Sequence, residues 1–230
     1  MGGLATGTIH LAIGLAKHFQ NFEHQIITQE DNENISFVEE YDLPKNLSII
    51  KVPKFGPKIY PFSLSMREQI KSFNADVLYL KGLWRQTSIE AYFWKKTNPN
   101  KILIVCPAGM LQPTPLKNKK ILKLISIFLI EKKLFKKCDI LHTVSLLERK
   151  FIMESRYAFK KIVFIPEGLP KNKLKIARKS KFSKKLVSIS RIAPIKGLEI
   201  LLDACQNLNF NGWKILIYGN GSEEYINKLQ

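Results

Sequence analysis

The stretch SISRIAPIKGL, residues 188–198, connects a predicted strand to a predicted helix. Residues 186–189 form a short run typical of a strand, and residues 197–207 are predicted to form a helix. Arg191 directly follows the strand, and Lys196 stands at the start of the helix. Two cations beside a helix N-terminus suit a diphosphate, because Arg can bind it bidentately and Lys adds a point charge. A solvated basic loop is the alternative interpretation of the same residues.

Strands and helices alternate in the same way along the rest of the chain. Short, almost wholly apolar runs are typical of parallel strands that are covered on both faces. Such runs predict strands at residues 25–28, 47–52, 77–80, 102–106, 140–144, 162–165 and 214–218. Helices are predicted at residues 8–19, 64–73, 87–96 and 146–157, and Ser222 is a candidate N-cap for one more.

This alternation predicts an α/β protein with two domains. Residues 1–170 are expected to form an open, doubly wound domain on a parallel sheet, and residues 171–185 a basic linker. Residues 186–230 are expected to form the opening βαβ unit of a second, Rossmann-like domain. Because one βαβ unit buries too little apolar surface to stand alone, we expect this second domain to be incomplete.

The composition is that of a folded protein in a reducing compartment. Hydrophobic residues make up 45% of the 230 residues, which excludes global disorder. The three cysteines, Cys106, Cys138 and Cys205, are too few and too scattered for a disulfide framework. No stretch reaches the ~20 apolar residues of a membrane-spanning helix, and the N-terminus lacks the basic head of a secretory signal. We therefore expect a cytoplasmic protein.

The net charge of +18 is concentrated in two segments. Residues 117–137 contain eight Lys and one Glu, and residues 171–185 contain eight basic residues and no acidic one. In the first segment, apolar residues between 121 and 129 recur at helical spacing, which predicts an amphipathic helix. The lysines that flank this apolar stripe predict docking on an anionic membrane surface; they are Lys117, Lys119, Lys120, Lys123, Lys132, Lys133, Lys136 and Lys137. A core helix with a solvated basic face is the alternative.

Nucleic acid is the competing partner for so basic a chain. The two basic segments lack aromatic residues interleaved with the basic ones for base stacking, and no zinc finger or RNA-binding motif accompanies them. We therefore expect no nucleic-acid partner.

Three glycine-containing turns are candidates for ligand binding, because ligands of open α/β sheets lie outside the carboxyl ends of the strands. They are Gly2–Gly3 before the first helix, residues 107–109 and residues 219–221. Such turns also serve merely to connect. Among the histidines, His142 lies within a strand and is expected to be a hydrogen-bonded structural residue, while His10 lies near the first turn.

Residues 190–204 resemble the donor-site motif of family-4 retaining glycosyltransferases, which have the GT-B fold. The motif S-R-[ILM]-x-x-x-K-G-x-x-x-L-[IL]-x-A is matched at Ser190, Arg191, Lys196, Gly197, Leu201, Leu202 and Ala204. The glycine-rich start of the chain and residues 217–221 are similar to two turns of that family. Bacterial cell-surface polysaccharide members of the family are similar at residues 82–84, 109–111, 165–168 and Glu148.

This resemblance implies transfer of a sugar from a nucleotide-sugar donor to an acceptor, with retention, in cell-surface polysaccharide or lipopolysaccharide synthesis. No metal or cofactor would be required. The residues implied at the donor diphosphate are Arg191, Lys196, Gly197, Gly2 and Gly3, and those implied in a donor-side turn are Gly219 and Gly221. The acceptor would be a sugar or a lipid-linked sugar, and the basic helix would hold the protein on the inner membrane leaflet.

The chain departs from the family pattern in four places. Lys81 stands where related sequences have a histidine before the glycine, and Ala108 stands where they have a histidine that faces the reaction site. No catalytic residue is therefore assigned. No strand precedes the Gly2–Gly3 turn, and the family's E-x7-E motif would lie beyond Gln230, so we expect a chain truncated at both ends.

A truncated, non-catalytic remnant is the alternative to an enzyme. Such a remnant would bind only an anionic membrane surface or a nucleotide, and its vesicle binding would be sensitive to salt. An enzyme would instead release a nucleoside diphosphate when an acceptor is present.

Overall fold

The structure is a computed structural model that describes residues 3–30, 41–57, 60–112, 130–155, 157–168, 184–206 and 212–229. The chain divides into two units, Met1–Asn172 and Lys173–Gln230. Each unit alternates strands with helices, and every pairing between its strands is parallel.

The first unit contains six strands and five helices among its described residues. Its strands are β1 (His24–Gln29), β2 (Leu47–Val52), β3 (Val77–Lys81), β4 (Ile102–Cys106), β5 (Ile140–Thr143) and β6 (Ile162–Phe164). Its helices are α1 (Gly3–His18), α2 (Met66–Phe73), α3 (Gln86–Thr97), α4 (Lys132–Lys137) and α5 (Leu146–Met153). Strands β1 and β2 form one sheet, and the other four form a second sheet in the order β3-β4-β5-β6.

The core of this unit lies around the central strands of the four-stranded sheet. Leu103 and Val105 on β4 and Leu141 on β5 are fully buried. Strand β4 is apolar along its whole length, and it is buried from Leu103 to Cys106 except for the half-buried Ile104, whereas Ile102 at its start is exposed. The other members of the buried cluster are Leu80, Leu83, Ala91, Trp94, Leu111, Leu134, Phe135, Cys138 and Ile152.

The second unit is smaller, and its described residues contain two strands and two α-helices. They are β7 (Lys185–Ile189), α6 (Leu198–Gln206), β8 (Lys214–Tyr218) and α7 (Glu223–Leu229), with a 3-10 turn at Pro194–Lys196. Strands β7 and β8 pair in parallel. The Ser222 hydroxyl accepts a hydrogen bond from the Tyr225 N–H at 3.4 Å, which confirms the predicted N-cap of α7.

Three of the element boundaries that differ from the predicted ones have a local cause. Helix α1 begins at Gly3, one turn earlier than predicted, and the Thr8 hydroxyl donates to the Leu4 carbonyl within that extra turn. Helix α5 ends at Met153, because the N–H and hydroxyl of Ser155 both donate to the Ile152 carbonyl and close the last turn. Helix α6 begins after Gly197, whose φ of 62° is left-handed and stops a helix from including it.

None of the helices within the described ranges is long and apolar enough to cross a membrane.

A charged network around Asp139 ties helix α3 to the four-stranded sheet. Asp139 accepts hydrogen bonds from the Leu103 N–H at 2.9 Å, from the nearly buried Lys95 at 2.6 Å and from Lys160 at 3.0 Å. Partial burial acts to raise the pKa of Asp139, but these three donors outweigh it and lower the pKa from 3.8 to about 2. The charged form of Asp139 therefore stabilises the fold.

We expect Asp139→Asn to lower the free energy of unfolding at pH 7 by about 2 kcal/mol. The pKa of Asp139 is lower in the folded protein than in the unfolded chain, so its ionised form stabilises the fold at any pH above both pKa values. The wild type loses this contribution as the pH falls through 3.8 towards about 2. The difference between the two proteins should therefore shrink over that range. Urea denaturation in a Trp213→Phe background, where Trp84 and Trp94 report on the first unit, measures this difference.

Asp76→Asn is the matched control, because Asp76 is exposed just before β3. Its free energy of unfolding should change by less than about 0.5 kcal/mol. A difference between Asp139→Asn and wild type that is the same at pH 7 and at pH 2 would contradict the proposed role of the charge.

Candidate functional site

Residues of the stretch 188–198 line a cleft at the carboxyl end of β7. A cavity of about 410 Å³ is lined there by Arg191, Ile192, Ala193, Pro194, Asn220, Gly221 and Ser222. Arg191 follows the end of β7 after one residue, Ser190, and its side chain is exposed. Lys196 is also exposed and ends the 3-10 turn that leads into α6. Among the described residues, neither cation forms an ion pair.

The two glycines of the second turn are required by the packing of two loops. A Cβ at Gly219 would lie 1.7 Å from the Ser190 carbonyl oxygen, and a Cβ at Gly221 would lie 2.3 Å from the Ile192 carbonyl oxygen. The Ile192 N–H donates to the Asn220 carbonyl at 2.9 Å. The loops after β7 and β8 thus lie backbone to backbone, and this contact shapes one wall of the cleft. A role of these glycines towards a ligand stays a prediction.

The first glycine turn is only partly covered by the structure. Gly2 lies outside the described residues, whereas Gly3 is the first residue of α1 and has open space at the position of a Cβ. The binding role predicted for both residues stays a prediction. His10 lies on the same helix, where its ring stacks edge-on against Tyr41 with centroids 5.4 Å apart.

The loops after β3 and β4 contain residues with unusual backbone angles. Trp84 has a φ of 61°, and Ala108 has a φ of 52°, a left-handed conformation that non-glycine residues rarely adopt. The two loops contact each other, since the Leu83 N–H donates to Met110 Sδ at 3.1 Å. Such strained conformations persist only where the surrounding structure fixes them.

A buried carboxylate fixes the loop after β3. Glu131, which directly precedes α4, is fully buried, and its Oε1 accepts a hydrogen bond from the Trp84 N–H at 2.8 Å. The interior of a protein holds a charged group only where polar partners compensate for lost water. The Glu131 carboxylate therefore sets the position of the left-handed Trp84.

A second buried carboxylate fixes the loop after β4. Glu148 on α5 is fully buried, and its Oε1 accepts from the Gly109 N–H at 2.5 Å, while its Oε2 accepts from the Val144 N–H at 2.9 Å. Its own N–H donates to the Ser145 hydroxyl at 3.0 Å, which caps α5. One side chain thus holds both the N-terminus of α5 and the loop that contains Ala108.

A buried lysine lies beside these loops. Lys81, the last residue of β3, has a side chain that is 5% exposed, and its Nζ lies 2.6 Å from Glu167 Oε1. Helix α1 crosses this ion pair at Gly7, where a Cβ would lie 2.7 Å from Glu167 Oε2 and 3.1 Å from Lys81 Nζ. A side chain at position 7 would therefore displace the Glu167 carboxylate.

A hydrogen-bonded chain connects the same strands below the ion pair. The Ile165 carbonyl can only accept, so His142 Nε2 donates to it at 2.7 Å, and His142 Nδ1 accepts from the Tyr79 hydroxyl at 2.7 Å. Burial raises the pKa of Tyr79, so its hydroxyl stays protonated and donates. The prediction that His142 is a hydrogen-bonded structural residue is confirmed.

The basic segment is described only at its C-terminal end. The predicted apolar stripe and four of the lysines, Lys117, Lys119, Lys120 and Lys123, lie outside the described residues. In α4, Leu134 and Phe135 are buried in the core, whereas Lys132, Lys133 and Lys136 are exposed and Lys137 is half-buried. The described lysines therefore lie on a solvated face of a helix whose apolar side chains belong to the core.

Several residues at these loops were missed by sequence reasoning. Glu131 appeared only as the single acidic residue of a basic segment, and Tyr79 and Gly7 were given no role. A glycine inside a helical pattern is a local signal of a close approach, but Gly7 precedes the predicted helix at residues 8–19 and lies inside α1 only in the structure. Lys81 was noted as a departure from a family pattern, but its partner Glu167 was not identified. Among the described residues, no group of three His, Cys, Asp or Glu side chains could hold a metal ion.

We expect Glu148→Gln to lower the free energy of unfolding of the first unit by about 2–3 kcal/mol, because one of two buried N–H groups then faces an amide NH₂ instead of a carboxylate oxygen. Urea denaturation followed by tryptophan fluorescence measures the change. Glu154→Gln is the matched control, since Glu154 directly follows the same helix and is exposed. Equal shifts in both variants would show that Glu148 does not act through its buried hydrogen bonds.

Two crystal structures of Anabaena Alr3699/HepE resemble this chain. The complex with UDP and glucose matches 99% of this chain with a TM-score of 0.68 and 13% sequence identity. The complex with UDP-glucose matches 100% of this chain with a TM-score of 0.65 and 13% identity. No protein-family model matches the sequence, and no curated protein matches it.

At 13% identity this likeness concerns the fold, and the chain spans about three fifths of the length of these structures, namely 61%. The parallel sheets, their covering helices and the likeness to these structures confirm the predicted fold class. The chain has an α/β, GT-B-like fold with Rossmann-like units.

Proposed function

We propose that this chain belongs to a glycosyltransferase that moves a sugar from a nucleotide-sugar donor to an acceptor hydroxyl. The observation that carries the proposal is the cleft at the carboxyl end of β7, which Arg191 lines and beside which Lys196 lies exposed. Structures of the same fold hold UDP, glucose or UDP-glucose, according to their descriptions. These observations support a site for the diphosphate of the donor.

In the proposed reaction, the bond between the anomeric carbon and the diphosphate breaks, and a bond to the acceptor oxygen forms as its proton leaves. Negative charge builds up on the departing nucleoside diphosphate. Fixed cations stabilise such a leaving group more in the transition state than in the ground state. Arg191 would bind phosphate oxygens bidentately, and Lys196 would add a second positive charge.

The finer proposal follows the donor-site motif at residues 190–204. We propose retention of the anomeric configuration, as in family 4, and an acceptor from cell-surface polysaccharide or lipopolysaccharide synthesis. The two cations of the motif would take the charge-neutralising role that a metal ion has in other phosphate sites. The proposed reaction therefore needs no metal and no cofactor.

We expect Arg191→Met and Lys196→Met each to weaken UDP binding at least tenfold, because each removes a charge from the proposed diphosphate site. Isothermal titration of the full chain with UDP, in the presence of EDTA, measures the affinity. GDP and ADP serve as parallel probes, since the shared diphosphate is the group recognised.

Lys185→Met is the matched control for these two variants. Lys185 lies at the amino end of the same strand, so its loss changes the net charge equally but leaves the cleft intact. Its UDP affinity should stay within twofold of wild type. Equal weakening in all three variants, or no binding of any of the three nucleotides to wild type with EDTA present, would disprove the proposed site.

The exposed lysines of α4 favour a second candidate activity, docking on an anionic membrane surface. Leu134 and Phe135 are held in the core, so lysines alone would contact lipid headgroups. Each lysine near such a surface contributes about 1 kcal/mol. In an enzyme, this surface would hold the protein on the inner leaflet near a lipid-linked acceptor.

We expect the triple variant Lys132→Gln, Lys133→Gln, Lys136→Gln to bind vesicles of 30% phosphatidylglycerol in phosphatidylcholine at least tenfold more weakly, as measured by co-sedimentation. Binding of the wild type should fall as salt rises. A control triple variant removes the exposed lysines Lys17, Lys71 and Lys96 and should bind nearly as well as wild type. Equal losses in both triple variants would show that net charge alone, and not α4, drives binding.

A further inference from the structure

The ion pair of Lys81 and Glu167 joins the two edges of the four-stranded sheet. Lys81 ends β3 at one edge, and Glu167 follows β6 at the other edge. Three spacings of about 4.8 Å separate those strands, which is about 14 Å. Three residues of extended chain from Phe164 reach about 10 Å, and two long side chains close the remaining distance. The segment 165–167, here called the crossing segment, and the two long side chains together therefore span the carboxyl end of the sheet.

Hydrogen bonds hold this crossing segment in place. The Ile165 N–H donates to the Thr143 carbonyl at 3.1 Å, and the Ile165 carbonyl accepts from His142 Nε2 at 2.7 Å. Strand β5 thus supports the segment midway. These hydrogen bonds fix the backbone up to Ile165, two residues before Glu167.

Lys81 is left with unused hydrogen-bonding capacity in a buried position. Its ammonium group has three donors, and its side chain is 5% exposed. Among the described residues, Glu167 is the ion-pair partner of Lys81, and its Oε1 lies 2.6 Å from Lys81 Nζ. A buried donor without an acceptor costs free energy, so this arrangement favours a ligand that brings acceptors.

The Glu167 carboxylate can accept hydrogen bonds from a ligand that approaches from solvent. Its side chain is 42% exposed, and its Oε2 lies on the side of Gly7. The absence of a side chain at position 7 leaves the carboxylate accessible along the surface of α1. A buried donor and an accessible acceptor therefore lie side by side at the carboxyl end of β3.

The opposite charges of Lys81 and Glu167 determine which chemical class of ligand the pair can bind. An anion would be attracted by Lys81 but repelled by Glu167. A cation would be attracted by Glu167 but repelled by Lys81. A hydroxyl group is neutral and both donates and accepts, so adjacent hydroxyls can bind the carboxylate and the ammonium at once. Pyranose sugars carry such adjacent hydroxyls. We propose that Lys81, Glu167 and the glycine face of α1 at Gly7 form a binding subsite for the hydroxyls of a sugar ring.

This subsite is built from residues of the first unit, whereas the cleft at Arg191 is built from residues of the second unit. The inference rests on the proposed function, because a glycosyltransferase binds sugar rings. The experiment therefore measures glycoside binding and UDP binding on the same full-length samples, so that the two proposals can fail separately.

We expect wild type to bind at least one of the methyl glycosides of glucose, galactose and mannose, as measured by saturation-transfer-difference NMR titration. Glu167→Gln and Lys81→Met should each weaken that binding at least tenfold and change UDP affinity less than twofold. UDP binding without binding of any of the three glycosides would overturn the subsite and leave the proposed function standing. Loss of both kinds of binding in wild type would overturn both proposals.

Gly7→Ala tests the geometry without changing any charge. The added Cβ would meet Glu167 Oε2 at 2.7 Å, so the carboxylate must move, and glycoside binding should weaken at least tenfold. Gly14→Ala is the matched control on the same helix, because a Cβ there has open space. Its glycoside affinity should equal that of wild type. Equal affinities in the two alanine variants would overturn the proposal.

The charge-reversed double variant Lys81→Glu, Glu167→Lys distinguishes binding from a purely structural ion pair. Reversal restores the ion pair and the melting temperature but places the carboxylate at the buried position. Glycoside binding should therefore stay at least tenfold weaker than in wild type. Recovery of both the melting temperature and glycoside binding in the double variant would show that the ion pair only stabilises the fold, and would overturn the subsite.

Discussion

The carboxyl end of the four-stranded sheet depends on buried carboxylates that accept backbone N–H groups. Loops that leave parallel strands carry donors that the sheet no longer pairs, and a buried donor needs an acceptor. Glu131 accepts from Trp84, and Glu148 accepts from Gly109 and Val144. These contacts hold two loops with left-handed residues in one shape, and the contacts of Lys81 and Met110 are arranged around them.

Among its described residues, the second unit satisfies the same requirement without a buried charged side chain. Its two strand-terminal loops pair backbone to backbone, which is possible because Gly219 and Gly221 have no Cβ. The cations of the motif, Arg191 and Lys196, remain exposed as a result. In the first unit, the buried carboxylates and the Lys81 ammonium have partners inside the fold, whereas in the second unit Arg191 and Lys196 are exposed to solvent.

The exposed cations of the second unit and the Lys81–Glu167 ion pair of the first unit suit two different kinds of ligand. Exposed cations suit phosphate oxygens, whose negative charge they neutralise. A neutral ion pair suits hydroxyl groups, which can both donate and accept. Ala108 fits the same picture, since its loop contributes backbone shape and no ionisable side chain, while Lys81 on the neighbouring strand supplies a charged group that Glu167 balances.

The sequence by itself determined the alternation of strands and helices and the place of Arg191 after β7. Strands at residues 47–52, 102–106 and 214–218 were predicted with the bounds that the structure has, because short apolar runs are a local signal. Only the tertiary structure decided the partners of Lys81, Glu131 and Glu148 and the close approach of Gly7 to the Glu167 carboxylate. Those contacts join residues far apart in the chain, and no local period or motif records which side chains meet when strands β3 to β6 assemble.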